Sequence, residues 1–176
     1  PMARLYTHAW QARHDPLFQR IATETLDYLL ARLRADGGGF FSAEDSDDAE
    51  GREGAYWRWS YDEFMAVAPD AAGFFGVTPE GNFEGDNVLT AAGDEPPAED
   101  RARLAEARDR RTRPAVDTKI ISGWNGLVIA ALADAGAAFG RADYRSAAEE
   151  AATALLAAVS EDGSVAHALS PAGAAG

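Results

Sequence analysis

Apolar residues recur at three- and four-residue steps in two separate stretches, the spacing that puts side chains on one face of an α-helix. Leu5, Tyr6, Ala9 and Trp10 mark the first face. His14-Asp15-Pro16 interrupts it, with Pro16 suited to the first turn of a new helix. Phe18, Ile21, Ala22, Leu26, Leu29, Leu30 and Leu33 then form a long stripe that ends at Gly37-Gly38-Gly39. The same hairpin returns late in the chain. Leu127, Val128, Ala131, Leu132, Ala135 and Phe139 make its first stripe, and Gly140-Arg141-Ala142 makes its turn. Tyr144, Ala147, Ala148, Ala151, Leu155, Leu156 and Val159 make its second stripe, which Asp162-Gly163 ends. The outer helices align without a gap at an offset of 126 residues, so that Phe18 matches Tyr144, Ala22 matches Ala148 and Asp36-Gly37 matches Asp162-Gly163. The pattern predicts a mainly α protein of antiparallel helix pairs, each burying its stripe against a neighbour.

The region between the copies differs. Phe40-Phe41 and Tyr56-Trp57-Arg58-Trp59 predict short extended pieces of a small β-ribbon. Ser60 is placed to cap a helix over about 61–68, with Glu63 completing a capping box. Asp70 starts another short helix through Phe75, residues 76–97 form a loop, and a charged, peripheral helix covers about 97–111. Ser122 is the expected N-cap of the helix that follows, with Trp124 and Asn125 in its first turn. Antiparallel hairpins alternate direction, so the loops at 35–60, 112–123 and 161–170 should share one end, opposite the turns at 14–16 and 140–142.

Composition narrows the partners. With 29 acidic against 16 basic residues and a formal net charge of −13, the surface repels phosphate backbones and anionic lipid, which argues against nucleic-acid and membrane partners. An apolar fraction of 47% over 176 residues suffices for a core, and the length fits a single domain. The chain has no cysteine, which removes disulfide, zinc-thiolate and thiol chemistry. No apolar run approaches a membrane span, and Pro1-Met2-Ala3-Arg4 runs directly into a helical pattern without a signal peptide, so a cytoplasmic location is expected. The chain reads as an excised segment, residues 1–176 forming one partial domain.

Three runs carry the candidate chemistry. In residues 40–59, Glu44, Asp45, Asp47 and Glu50 stand between aromatic residues ending at Trp59. This is either a solvated acidic loop between strands or a sugar site, where aromatic faces stack on pyranose rings and paired acids move protons at the anomeric carbon. A cation site is a weaker reading, because the glycine falls at the seventh position of the run rather than the sixth. In residues 81–89, Asn82, Glu84 and Asn87 suit turn formation or hydrogen bonding to sugar hydroxyls. In residues 117–126, Asp117 neighbours Lys119, the only lysine of the chain, as a buried ion pair or a site base, followed by Trp124 and Asn125. His8, His14 and His167 are scattered without metal spacing and read as structural. No metal and no cofactor is expected.

Taken together, Gly38–Asp47 with Glu50-Gly51 and Tyr56-x-x-Trp59, then Gly81-Asn-Phe-Glu-Gly-x-Asn-Val-Leu89, then Arg113-Pro-x-x-Asp117-x-Lys119 and Trp124-Asn125-Gly126-Leu127, resemble the spermatogenesis-associated, thioredoxin-domain-containing family of bacteria and animals. The resemblance covers about residues 3–163. It implies a longer protein with an N-terminal thioredoxin-like domain, absent from these residues, and an (α/α)6 toroid like those of six-hairpin glycosidases and N-acylglucosamine epimerases. This chain would form part of that toroid, and the remainder of its parent chain would be its partner. The fold implies a carbohydrate ligand and carbohydrate metabolism. Glu44 or Asp45 would transfer protons, and Trp59 or Trp124 would stack on the sugar. Asp47, Asn82, Glu84, Asn87, Asp117, Lys119 and Asn125 would bind it. The rival expectation is a non-enzymatic helical scaffold that presents the thioredoxin-like domain or recruits a protein partner. A part of a ring would show apolar faces on its first and last helices, with weak stability or self-association when expressed alone.

Overall fold

The computed structural model of the chain describes residues 1–91 and 98–169; residues 92–97 of the expected 76–97 loop and the tail from Ser170 lie outside the described residues. The elements in chain order are α1 (Met2–Arg13), α2 (Pro16–Arg32), β1 (Ala43–Glu44), α3 (Tyr61–Val67), a 3-10 turn at Pro69–Ala71, α4 (Ala72–Phe75), α5 (Ala98–Asp109), β2 (Val116–Asp117), β3 (Ile120–Ile121), α6 (Ser122–Ala138), α7 (Ala142–Ala157) and β4 (Ala168–Leu169). The protein is mainly α. Its residues form two compact units, Pro1–Glu44 with Val116–Gly176, and Asp45–Ala115.

The first unit holds both hairpins. Helix α1 stops where His14 turns left-handed (φ 52) and its N–H bonds back to Trp10 O at 2.6 Å. One residue later Asp15 caps α2 by accepting the Leu17 N–H at 3.0 Å, with Pro16 at the first helical position. The 126-residue repeat holds in three dimensions. Helices α2 and α7 start at matched positions, and the left-handed residue of the second hairpin is Gly140 (φ 68), the equivalent of His14. The matched residues His8 and Asp134 touch at 3.1 Å, so α1 and α6 lie side by side and parallel. Arg4 reinforces the seam by donating to Asp134 at 2.6 Å, and Trp10 meets Phe139 edge-on at 5.0 Å.

The core of this unit follows the sequence stripes. Leu26, Ala131, Leu132, Ala135, Tyr144, Ala147, Ala148 and Ala151 are buried together, with Leu29, Leu30, Val128 and Phe139 packed around them. The many alanines let the helices of the second hairpin approach closely. Tyr144 is fully buried, and its hydroxyl donates to Asp27 at 2.7 Å beneath the Arg141 guanidinium, 4.0 Å above its ring. Burial first, and then the Asp27 carboxylate, push this phenol upward. Large apolar residues also remain on the surface of the first and last helices: Leu5 on α1 is 62% exposed and Leu156 on α7 is 71% exposed.

The second unit packs Trp59, Phe64, Ala68, Ala71, Val77 and Leu104 into a separate core. Ser60 caps α3 by accepting the Glu63 N–H at 3.2 Å, as the sequence predicts. The reciprocal half of the expected capping box is missing, because Glu63 instead accepts from Arg111 at 2.8 Å. The short helix expected from Asp70 begins as the 3-10 turn at Pro69 and becomes α4 only at Ala72. Helix α5 is not simply peripheral: Leu104 is 5% exposed and joins the core.

The β-structure differs from the sequence expectation. Residues 40–41 and 56–59 do not form one ribbon. Phe40 bridges Arg34, and Trp59 bridges Asn87. The two short antiparallel sheets are β1 with β2 and β3 with β4. Pairing within a few residues is decided by which loops the helices bring together, and local propensity does not encode it.

Candidate functional site

In the first unit, the segments after α2, before α6 and after α7 meet at one end. Ala43 pairs with Asp117 and Glu44 with Val116; Ile120 pairs with Leu169 and Ile121 with Ala168. For the parts of the loops that belong to this unit, the alternation of hairpin direction gathers them as expected. Asn125 pins the gathering. Its Oδ1 accepts the Phe40 N–H at 2.7 Å, and its Nδ2 donates to Phe40 O at 2.9 Å and Ile121 O at 3.1 Å. The side-chain amide does for Phe40 what a neighbouring strand would do. Gly39 makes the approach possible: its φ is +84, and a Cβ there would lie 3.3 Å from Ile120 Cγ2.

Four expected site residues besides Asn125 lie in this unit. Glu44 is half-buried and accepts a hydrogen bond from the Tyr28 hydroxyl. Asp117 is exposed and accepts from Lys119 Nζ at 2.9 Å and from the Lys119 N–H at 3.2 Å. The lysine's hydrogen bond, above all, lowers the Asp117 carboxyl below its ordinary value. The pair is not the buried one the sequence suggests, since the Lys119 side chain is 68% exposed. Register also separates the acids. Ala43 faces Asp117 and Glu44 faces Val116, so strand alternation sends the Glu44 and Asp117 side chains to opposite faces of the ribbon. Trp124 is 55% exposed on the first turn of α6, flanked by Gly123 and Gly126, where an added Cβ would meet nothing within 4 Å. Asn125, one residue on, is 2% exposed and committed to backbone, so burial removes it from ligand contact. Ser122 does not cap α6; its hydroxyl donates to Ala166 O at 2.6 Å and ties the last loop down.

The other six expected residues lie in the second unit, and three of them have structural roles. Trp59 is 2% exposed, edge-on to Phe64 at 6.0 Å, with the Arg111 guanidinium 4.1 Å from its ring centroid, so it offers no free face to a sugar. Asn87 is fully buried, accepts from the Thr78 N–H at 3.0 Å and donates to Thr78 O at 3.1 Å. Asn82 closes a turn by bonding Val88 at both its N–H and its carbonyl, 2.8 and 2.9 Å away. Glu84 is exposed and pairs with Arg58 at 3.0 Å. Asp45 accepts the Asp47 N–H at 3.2 Å, and Asp47 accepts from Ser46 at 2.9 Å, which is local turn chemistry.

Two residues that the sequence reading passed over organise these units. Tyr28 lies off the apolar stripe of α2, is 42% exposed and donates to Glu44. Arg111, one of several arginines in and just after α5, donates to Tyr56 O at 2.8 Å and Arg58 O at 2.6 Å while covering Trp59. Neither carries a local sequence signal.

Among the described residues no group of three or more His, Asp or Glu side chains converges to hold a metal ion. The acidic loop is ordered instead by Arg52. The Arg52 side chain, then its backbone N–H, hold Asp48 down to a pKa of about 2. The carboxylate therefore contributes loop order above the ordinary carboxylate range, and that order is lost as pH falls toward 2. A pH titration of the Asp48 carboxyl carbon by NMR should give a midpoint near 2. Arg52→Gln should return it toward about 3.9; an unchanged midpoint would mean that another group holds the charge.

No helix among the described residues is long and apolar enough to cross a membrane. No family model matches the chain. The chain is 30% identical over 77% of its length to spermatogenesis-associated protein 20 of Mus musculus, and 27% identical over 80% of its length to the Homo sapiens protein of that name. It spans about a quarter of the length of these curated relatives, 23% and 24% respectively. The chain is thus similar, over most of its own length, to one portion of spermatogenesis-associated protein 20.

Proposed function

We propose that the loop-bearing end of the helical-hairpin unit binds a carbohydrate, as part of a larger cytoplasmic protein akin to spermatogenesis-associated protein 20. Trp124 carries this reading. An indole that is 55% exposed, fixed on the first turn of a helix and flanked by glycines with open space beside them, has room for a ring against its face. The Tyr28–Glu44 and Asp117–Lys119 pairs add donors and acceptors in the same loop cluster. Glu44 is the acid of this cluster to which we assign any proton transfer. The opposed faces of Glu44 and Asp117 favour binding over two-carboxylate hydrolysis, which needs the acids facing each other about 5–10 Å apart. In this reading the two parallel hairpins are part of an (α/α)6 toroid that the remainder of the parent chain completes.

The test is calorimetric titration of the full-length protein with a panel of mono- and oligosaccharides. Trp124→Ala should weaken binding by roughly tenfold or more, about 1.4 kcal/mol, and Glu44→Gln should weaken it less. If neither substitution changes the affinity for any sugar, or wild type binds none, the carbohydrate reading fails. The exposed apolar residues Leu5 and Leu156 then favour the second reading, a non-enzymatic helical scaffold attached to a thioredoxin-like domain.

A further inference from the structure

The helical-hairpin unit contains a cavity of about 450 Å³ that lies apart from the residues assigned to the sugar. This volume is in the range of small-molecule sites, about 300–1,000 Å³. One wall is the turn that follows α2, from Ala35 to Gly38. Another is the end of α7, where Ala154, Ala157 and Ala158 share one face at three- and four-residue steps. Ile120 and Leu169, paired across β3 and β4, and Phe41 contribute the rest of the lining. Gly38 brings the turn as near to α7 as it can come: a Cβ there would lie 3.0 Å from Glu150 O and 3.1 Å from Ala154 Cβ. At Gly37 a Cβ would meet nothing within 4 Å, so the turn is open at that point. The alanines keep the space. A leucine at 154 or 157 would fill it and bury more apolar surface.

Charge gives the space a direction. Among the described residues, Asp36 is the one charged residue that lines it. Asp36 is exposed and has neither a hydrogen bond nor an ion pair within the described residues. The nearest cation along the chain, Arg34, leaves it unneutralised, because Arg34 pairs with Glu150 of α7. The end of α7 adds to the negative potential. A helix C-terminus carries partial negative charge on its unpaired carbonyls, and no basic side chain in the last turn of α7 offsets it. Phe41 supplies an aromatic ring, whose face attracts cations. The apolar lining thus suits a hydrocarbon body, and its charged rim suits a positive group.

We propose that this cavity binds a small organic amine with an apolar body, the body against the alanines of α7 and the ammonium group at Asp36. The proposal is independent of the carbohydrate reading, since Tyr28, Glu44, Asp117, Lys119 and Trp124 do not line this cavity. It is tested on the full chain by calorimetry with 2-phenylethylammonium as probe and uncharged 2-phenylethanol as comparator. One site per chain is expected, with the ammonium binding roughly fivefold or more tighter than the alcohol, the gain from one ion pair at a helix C-terminus. In Asp36→Asn the two compounds should bind alike. Ala157→Trp should abolish binding of both. Asp36→Asn changes an exposed side chain and keeps the test decisive should the tryptophan variant fail to fold. An ammonium preference that persists in Asp36→Asn would come from the net charge of −13 rather than from this site. That result, or no binding to wild type, would overturn the assignment.

Discussion

Replacing Asn125 by alanine is expected to destabilise the helical-hairpin unit by about 3 kcal/mol or more, a drop in melting temperature on the order of 10 °C. The amide makes three hydrogen bonds to backbone, and its residue is 2% exposed. Removing it leaves the Phe40 N–H and the Phe40 carbonyl to find partners where water has little access, while the Ile121 carbonyl, at the start of α6, keeps its helical bond. Each such orphan costs roughly 1–3 kcal/mol, against a total stability of about 5–15 kcal/mol. Asn125→Asp should be no better, because it replaces a donor with an anion facing the Phe40 and Ile121 carbonyls. Circular dichroism melts of the two variants, with hydrogen exchange at residues 33–44, provide the measurement. A loss below about 1 kcal/mol in both variants would show that the turn holds without its clamp and would free Asn125 for the ligand role expected from sequence.

Trp59→Ala is expected to be comparably severe for the second unit, at about 3–5 kcal/mol. The indole fills the core beside Phe64, and Arg111 stacks on its ring at 4.1 Å. Truncation opens a void and removes the surface on which that guanidinium rests. It thereby loosens the arginine's hydrogen bonds to Tyr56 O and Arg58 O. Trp59→Phe keeps part of the packing and should lose roughly half as much. Urea titration followed by hydrogen exchange of the amides in α3 and α5 reads the loss in this unit. A near-wild-type midpoint for Trp59→Ala would return Trp59 to the list of surface stacking residues.

These predictions concern two residues that look like ligand contacts in the sequence. The distinction between Trp59 and Trp124 shows why they could not be told apart. Both indoles stand among glycines, acids and polar residues, and both run into a helix. One is covered by an arginine that is 52 residues away in the chain, and the other is left 55% exposed. Likewise Asn82, Asn87 and Asn125 share one residue type suited to turns and to sugars, and only the direction of each amide decides between the two. The acid runs were legible as an acidic loop, but their pairing with Arg52, Tyr28 and Lys119 depended on which loops meet.

The helices were determined by the sequence itself. Three- and four-residue spacing, Asp15 and Ser60 as caps, and the match of His14 with Gly140 at an offset of 126 are local facts, because a helix satisfies its backbone within a few residues. The seating of α1 on α6 came from the tertiary structure, through His8 and Arg4 on Asp134 and Trp10 on Phe139. What the tertiary structure alone decided was the strand pairing of β1 with β2 and of β3 with β4, the burial of Trp59 and Asn125, and the opposed faces of Glu44 and Asp117. These depend on partners 47 to 85 residues distant, and a segment's own composition carries no record of them.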